Sequence, residues 1–448
     1  MDLDTINKNA YILFFEYDNT IQDLLKREYK HLYCVSTDKK IYDSPNYTQI
    51  KYLWTSNLVS THFPDSFFDV VINSHSDKEG ERITRNGGFY TDKHGVKHIV
   101  KKKEGKILPK DINVILSTLG KFEGIAHTTE NMKKNLLEYG VQAHLYKKLE
   151  DADNKNVTIV EWEPFLYPEI PKDRHAIIEL HTYPSSFKVS SKSSKLRYYV
   201  KSRLEYLKTM DFRSFFLWFV DYIVGKTEIP LDWESSKKEL EKHTLLVRNN
   251  ELAEFSGIKE YYLMPHCIVK NNKIMSKNNN KLFIGTYGFA APYKNFEAVC
   301  EVALKLDIKA LLLLSTNSLN SRSVDSTARY ATLLYNRYNG RGKITIKLGQ
   351  FSFDELKKEL YDCTHLFAPQ HNVYNVSSSM RFMVSLGKPV IATDSMQSRE
   401  AQVLRVNSLN EITISYLNST RNIRINQDDG TRYLCKYLQY HVWKYDRK

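Results

Sequence analysis

The chain is poor in the residues that punctuate or staple a fold. Only 17 glycines, 12 prolines and 5 cysteines occur in 448 residues. So little Gly and Pro excludes collagen-like repeats and Pro/Gly low-complexity chains. The cysteines stand at 34, 267, 300, 363 and 435 with no close pairs. That spacing offers no disulfide frame and no zinc motif, so free thiols in a reducing compartment are expected. No apolar run approaches eighteen residues, which removes the sequence signal of a spanning helix. The opening MDLDTINKNA lacks the basic and apolar regions of a secretory signal, and the cytoplasm is the expected location. There is no HExxH, no GxSxG, no P-loop and no GxGxxG, and no motif demands a metal.

What is present points to a large α/β protein. Apolar residues make up 42% and aromatic residues 12%, enough for more than one core. The net charge of +13 is unevenly placed. Residues 271–448 carry 25 lysines and arginines against 14 aspartates and glutamates, whereas residues 1–270 are nearly balanced. Such a basic half suits a nucleotide, a nucleic acid or an anionic membrane.

Short apolar runs alternate with helical patterns. Strands are expected at YILFFEY (11–17), HLYCV, FDVVIN (68–73), 114–117, 157–162, 175–180 and 244–248. Residues 81–110 read as a hairpin or loop excursion. A helix is expected over 128–139, capped by Thr128 or Thr129 and ended by Gly140. The polar stretch NNKIMSKNNN (271–280) reads as a linker between an N-terminal domain, 1–270, and a second α/β domain, 281–426. The second domain is expected to hold strands at 282–285, 310–315, 344–349, 365–369 and 389–393. Helices fit 294–305, 325–338, 353–361 and 378–386. A last aromatic-rich helix, within 427–448, is expected to pack back on the N-terminal domain. Residues 195–224 form a basic then aromatic helical pattern, suited either to a core helix at a cleft or to an anionic membrane surface.

Three places have residues suited to ligand chemistry. GTYGFAAPYKN places Gly285 and Gly288 after a strand and Lys294 and Asn295 before a helix. Backbone N–H groups and a lysine there suit phosphate oxygens. NVSSSMRF places Ser377, Ser378 and Ser379 at a helix start, with Arg381 in its first turn. A cation there opposes the helix dipole unless an anion compensates it. His181 ends the strand AIIEL, at the edge where open α/β sheets bind ligands; His75 and His266 stand at comparable turns.

The order of these pieces resembles the nucleotide-sugar-dependent glycosyltransferases with two Rossmann-like domains, especially the retaining family 4. The resemblance spans about 175–394. It runs through AIIELH, the strand–helix–strand segment ending in MPHC, GTYGFAAPYKN, LGQFSFDEL, HLFAP and VSLGKPVIATD. It implies two doubly wound parallel-sheet domains facing a cleft, the GT-B type. It also implies a nucleotide-diphosphate sugar as donor and no tightly bound cofactor. His181, Lys294 and Arg381 would then be catalytic. Gly285, Gly288, Lys294, Asn295 and Ser377–Ser379 would hold the donor's diphosphate. The family's paired glutamates, eight apart, are absent: the matching positions carry Val373 and Arg381, or Tyr374 and Phe382. The acceptor (glycan, lipid, protein or modified nucleic acid) is not indicated. Two alternatives accompany this reading: a transferase acting on modified DNA bases, and a non-catalytic sugar- or nucleotide-binding protein.

Overall fold

A computed structural model of the chain describes residues 5–17, 19–40, 49–102, 104–116, 124–162, 170–172, 174–180, 233–255, 257–265, 267, 281–290, 294–315, 321–370, 378–401, 403–423 and 429–441. Among the described residues three six-stranded sheets carry the fold. The first comprises β1 (Tyr11–Phe15), β2 (His31–Ser36), β3 (Ile50–Trp54), β4 (Phe68–Ser74), β5 (Thr84–Asp92) and β6 (Lys97–Ile99). Its order is β3-β2-β1-β4-β5-β6, parallel except for the antiparallel β5–β6 hairpin.

The second sheet comprises β7 (Asp111–Ile115), β8 (Gln142–Tyr146), β9 (Val157–Trp162), β10 (Ile177–Leu180), β11 (Thr244–Val247) and β12 (Tyr262–Leu263). It is ordered β12-β11-β10-β9-β7-β8, all parallel. The third comprises β13 (Phe283–Phe289), β14 (Lys309–Ser315), β15 (Ile344–Leu348), β16 (His365–Ala368), β17 (Val390–Thr393) and β18 (Leu404–Val406). Its order, β15-β14-β13-β16-β17-β18, is the doubly wound one, with the direction of winding reversing between β13 and β16.

The parallel sheets follow from strands that are apolar on both faces. LLLL in β14 and VIAT in β17 are buried throughout, as helix-covered strands require. The third sheet has one core on each face, one built around Val299, Leu312 and Leu334, the other around Leu313, Met383 and Val390.

The expected single sheet over 1–270 is two. The first and second sheets share one core, in which Phe15 and Phe68 join Ile159 and Ile178. The same core includes Tyr433, Leu434 and Tyr437 of the helix Gly430–Tyr440. That helix is tied to β11 by the Tyr437 hydroxyl, 2.8 Å from Thr244 Oγ1. The local pattern marks each strand but cannot say which strands pair, so two sheets joined by one core read as one.

A second correction concerns the helix expected from residue 128. It runs Gly124–Glu138, so Thr129 lies inside it and is not its cap. The buried Thr129 hydroxyl is 3.1 Å from Glu161 Oε1 on β9. Gly140, at φ 75°, does follow the helix end. The expected linker 271–280 and the segment 195–224 lie outside the described residues. Among the described residues no helix is long and apolar enough to cross a membrane.

Candidate functional site

The carboxyl edge of the third sheet collects the second-domain candidates. Here the structure changes the meaning of the glycines. β13 continues through Phe289, so Gly285 and Gly288 are strand residues and not a turn. Gly285 is a packing position. A Cβ there would stand 2.6 Å from Cys363 Sγ and 3.0 Å from Leu360. Gly288 lies at the strand's end with φ +155°, where a Cβ would stand 3.5 Å from Phe296 and 4.0 Å from Ser379 Oγ. Those are ordinary contact distances, so the backbone angle and not the space favours glycine here, beside the start of the helix Ser378–Ser385.

Lys294 precedes the helix Phe296–Leu306, and its Nζ donates to Gln370 Oε1 at 2.7 Å. Gln370 is buried just beyond β16, and its carbonyl accepts from Thr393 Oγ1 at 2.6 Å. Lys294 therefore spans the point where the winding reverses. Burial pulls its pKa down from 10.5 to about 8. Asn295, the residue before the helix, is left-handed at φ 54° and makes no side-chain cap. The Ala298 N–H donates to the Asn295 carbonyl at 3.1 Å, and no first-turn N–H is capped by the Asn295 side chain, near an edge where doubly wound sheets take anions.

Arg381 is buried in the first turn of the helix Ser378–Ser385. Phe382, one of the two positions where a family glutamate would fall, is built for packing. It stacks on Phe353 at 4.6 Å and meets Tyr287 edge-on at 5.4 Å. The helix leaves through Gly387 at φ 73°. Lys388 then donates to the carbonyls of Tyr361 and Cys363 at 2.6 and 2.5 Å, so this lysine anchors the turn.

This edge faces the N-terminal sheets. The helix Ser378–Ser385 contacts the helix Gly124–Glu138. Arg399, on the helix Met396–Ala401, reaches Glu251 on the helix Asn250–Phe255. The structure therefore brings together Gly288, Lys294, Asn295, Ser379 and Arg381 on one sheet edge, and sets Gly285 inside the core. Ser378 begins the helix; Ser377, His181 and His266 lie outside the described residues. His75 is exposed and stacks on Phe15 at 5.9 Å.

Sequence reasoning missed Gln370, Glu251 and Arg399. Gln370 follows HLFAP directly, and its position at a strand's carboxyl end was the available signal. Nothing in the sequence pairs Glu251 with Arg399, which are 148 residues apart.

No model of a known protein family matches the chain, and no curated protein matches it. Among solved structures it is similar to AviGT4, a glycosyltransferase involved in avilamycin A biosynthesis, at 11% identity over 76% of this chain and 96% of that one, with a TM-score of 0.45. It is similar to Anabaena HepE in complex with UDP and glucose at 8% identity, over 75% and 97% of the two chains, with a TM-score of 0.45. An α-glucosyltransferase in complex with UDP and a 13-mer DNA containing an HMU base aligns at 9% identity, over 75% and 97%, with a TM-score of 0.41.

Proposed function

We propose that the chain is a glycosyltransferase that takes its sugar from a nucleotide-diphosphate donor bound on the third sheet. One observation carries the reading: Lys294 spans the reversal point between β13 and β16, bonded to Gln370 at 2.7 Å, at the strand edge where Gly288 lies near the end of β13. Open α/β sheets bind phosphates at this place, outside the carboxyl ends of the strands.

Breaking the sugar–phosphate bond leaves negative charge on the departing diphosphate. Donors already fixed around that charge stabilise it without reorganising. The N–H groups at the start of Phe296–Leu306, the start of Ser378–Ser385 and the Lys294 ammonium are these donors. An arriving diphosphate would raise again the pKa of a lysine that burial depresses, and so hold its charge. Arg381 adds positive charge behind the serines, and the bound diphosphate would offset its unfavourable position in the helix dipole. The acceptor would enter from the side of the N-terminal sheets, and His181, outside the described residues, is the residue we assign to contact the transferred sugar or the acceptor oxygen. Approach of the two sides would exclude water and limit donor hydrolysis.

The test measures nucleotide binding and donor turnover in Lys294→Ala and Arg381→Ala, with UDP and UDP-glucose as first probes and a wider nucleotide-sugar panel read by heat stabilisation. Lys294→Ala should lose both properties, and Arg381→Ala should lose nucleotide affinity. Wild-type values in both variants would overturn the site. Binding without turnover across the panel would instead support a non-catalytic nucleotide-binding role.

A further inference from the structure

The first sheet carries a second cluster, unrelated to the donor site. Asp77, Asp92 and His98 each present one ligand atom, and these atoms all lie within 4.8 Å of one another. The residues are 15 and 6 positions apart and match no motif; three different elements bring them together. Asp77 opens the helix Asp77–Ile83, Asp92 ends β5 and His98 is the middle of β6.

Two features position these side chains. In the β5–β6 pairing Tyr90 stands opposite His98, so Tyr90, Asp92 and His98 share one face of the hairpin. Phe89, Lys97 and Ile99 take the other face, and the Lys97 ammonium sits 4.1 Å over the Phe89 ring, turned from the cluster. The second feature is Gly80. A Cβ on it would fall 2.8 Å from both Tyr90 Cδ2 and Ser74 Oγ, so only a glycine lets the helix press onto this face. That close approach brings Asp77, one turn earlier, over the hairpin.

The side chains are also oriented. The His98 ring stacks on Tyr90 at 4.8 Å with 16° between planes. Asp92 Oδ1 accepts from the N–H groups of His94 and Val96 at 2.9 Å each, which leaves Oδ2 toward His98. His98 Nε2 and Asp92 Oδ2 are 3.5 Å apart. That exceeds a good hydrogen bond, whereas two donors on a tetrahedral ion with bonds of about 2.0–2.2 Å stand about 3.4 Å apart. This acidic face lies in a chain of net charge +13.

We propose that Asp77, Asp92 and His98 bind a divalent transition-metal cation of the zinc type, clipping the helix Asp77–Ile83 to the β5–β6 hairpin. One imidazole and two carboxylates suit Zn²⁺, and the exposure of Asp77 leaves a coordination position for water.

The experiment titrates Zn²⁺ alone into the chelator-treated full chain by calorimetry, with thermal unfolding measured in parallel. The wild type should bind one equivalent with micromolar or tighter affinity and unfold at higher temperature when loaded. Asp77→Asn, an exposed substitution that leaves the fold intact, and His98→Ala should each weaken binding by about tenfold or more. His144→Ala should bind as the wild type, because its imidazole pairs with Asp111 at 2.8 Å outside the cluster. Circular dichroism verifies that each variant is folded. Absence of Zn²⁺ binding by the wild type, or unchanged affinity in both Asp77→Asn and His98→Ala, would overturn the proposal.

Discussion

Arg399 Nη1 stands 3.0 and 3.2 Å from the two carboxylate oxygens of Glu251, joining the third sheet's edge to the second sheet's. The pair is the centre of a longer chain of charges. Lys39, after β2, reaches Glu251 Oε1 at 2.9 Å. Arg399 Nη2 and Arg405 Nη1 both bond Asp394, at 2.8 and 2.7 Å. All three sheets therefore meet through five side chains.

Arg399→Ala should open this junction. Glu251 is buried and would keep only Lys39, while Asp394 would keep Arg405. Breaking a partly buried pair from one side costs about 2 kcal/mol, read by chemical denaturation. Solution scattering should show a larger radius. Glu251→Ala combined with Arg399→Ala should cost less than the two single losses together; strict additivity would mean that the contact contributes little in solution.

Lys294 gives a pH signature. Its pKa is about 8 in the fold against 10.5 when unfolded. Between those values the unfolded chain binds the extra proton, so this lysine's contribution to stability rises with pH across that window. Below pH 8 the folded protein holds a buried ammonium at a constant cost. Lys294→Met should therefore stabilise the protein at pH 7 by about 1–2 kcal/mol, an advantage that shrinks as pH climbs from 8 to 10.5. The same variant should lose nucleotide affinity. A stability loss at pH 7 would contradict the assignment of a desolvated charge.

Gly285 tests packing against ligand contact. Gly285→Ala forces a Cβ to within 2.6 Å of Cys363 Sγ and should cost about 1–3 kcal/mol. Cys363→Ala removes the sulfur, so the double variant should recover part of that loss in thermal unfolding. A strictly additive double variant would place the conflict elsewhere, at Leu360 or Leu366.

Asp65 gives the acid-side prediction. Burial alone would raise its pKa, but His441, 3.4 Å away, and Arg82, at 2.7 Å, overcome that and hold it at about 2. The folded pKa lies below the unfolded value of 3.8, so the stabilisation is complete above pH 4 and fades as pH falls toward 2. Asp65→Asn should cost roughly 2 kcal/mol at neutral pH and flatten this part of the acid profile. His441 closes the helix Gly430–Tyr440 and stands 3.1 Å from the Tyr262 hydroxyl, so the variant should also loosen the chain's end. Hydrogen exchange at Tyr437–His441 measures that.

The third sheet was the most legible part. Each of its expected strands and helices appears within a few residues, because apolar runs, caps and turn glycines are local signals. Ser352 and Glu355 in GQFSFDEL form a reciprocal capping box, an interaction closed within one turn of chain. Length of strand was less legible: β13 runs past Gly285, which is a packing glycine whose missing side chain leaves space for Cys363 and Leu360, distant in sequence.

The amino-acid sequence by itself determined the α/β class, most element positions, the hairpin near residue 90 and the basic balance of the C-terminal half. Those depend on neighbours within a turn or a pleat. Only the tertiary structure decided that the described part of 1–270 forms two sheets that share a core, that Lys294 meets Gln370, and that Asp77, Asp92 and His98 converge. These are pairings across 6 to 76 residues or across whole sheets, set by which apolar faces bury one another. NVSSSMRF shows both sides. Its helix was readable from its pattern, but the placing of Ser379 beside Gly288 required β13 and the helix to be packed together.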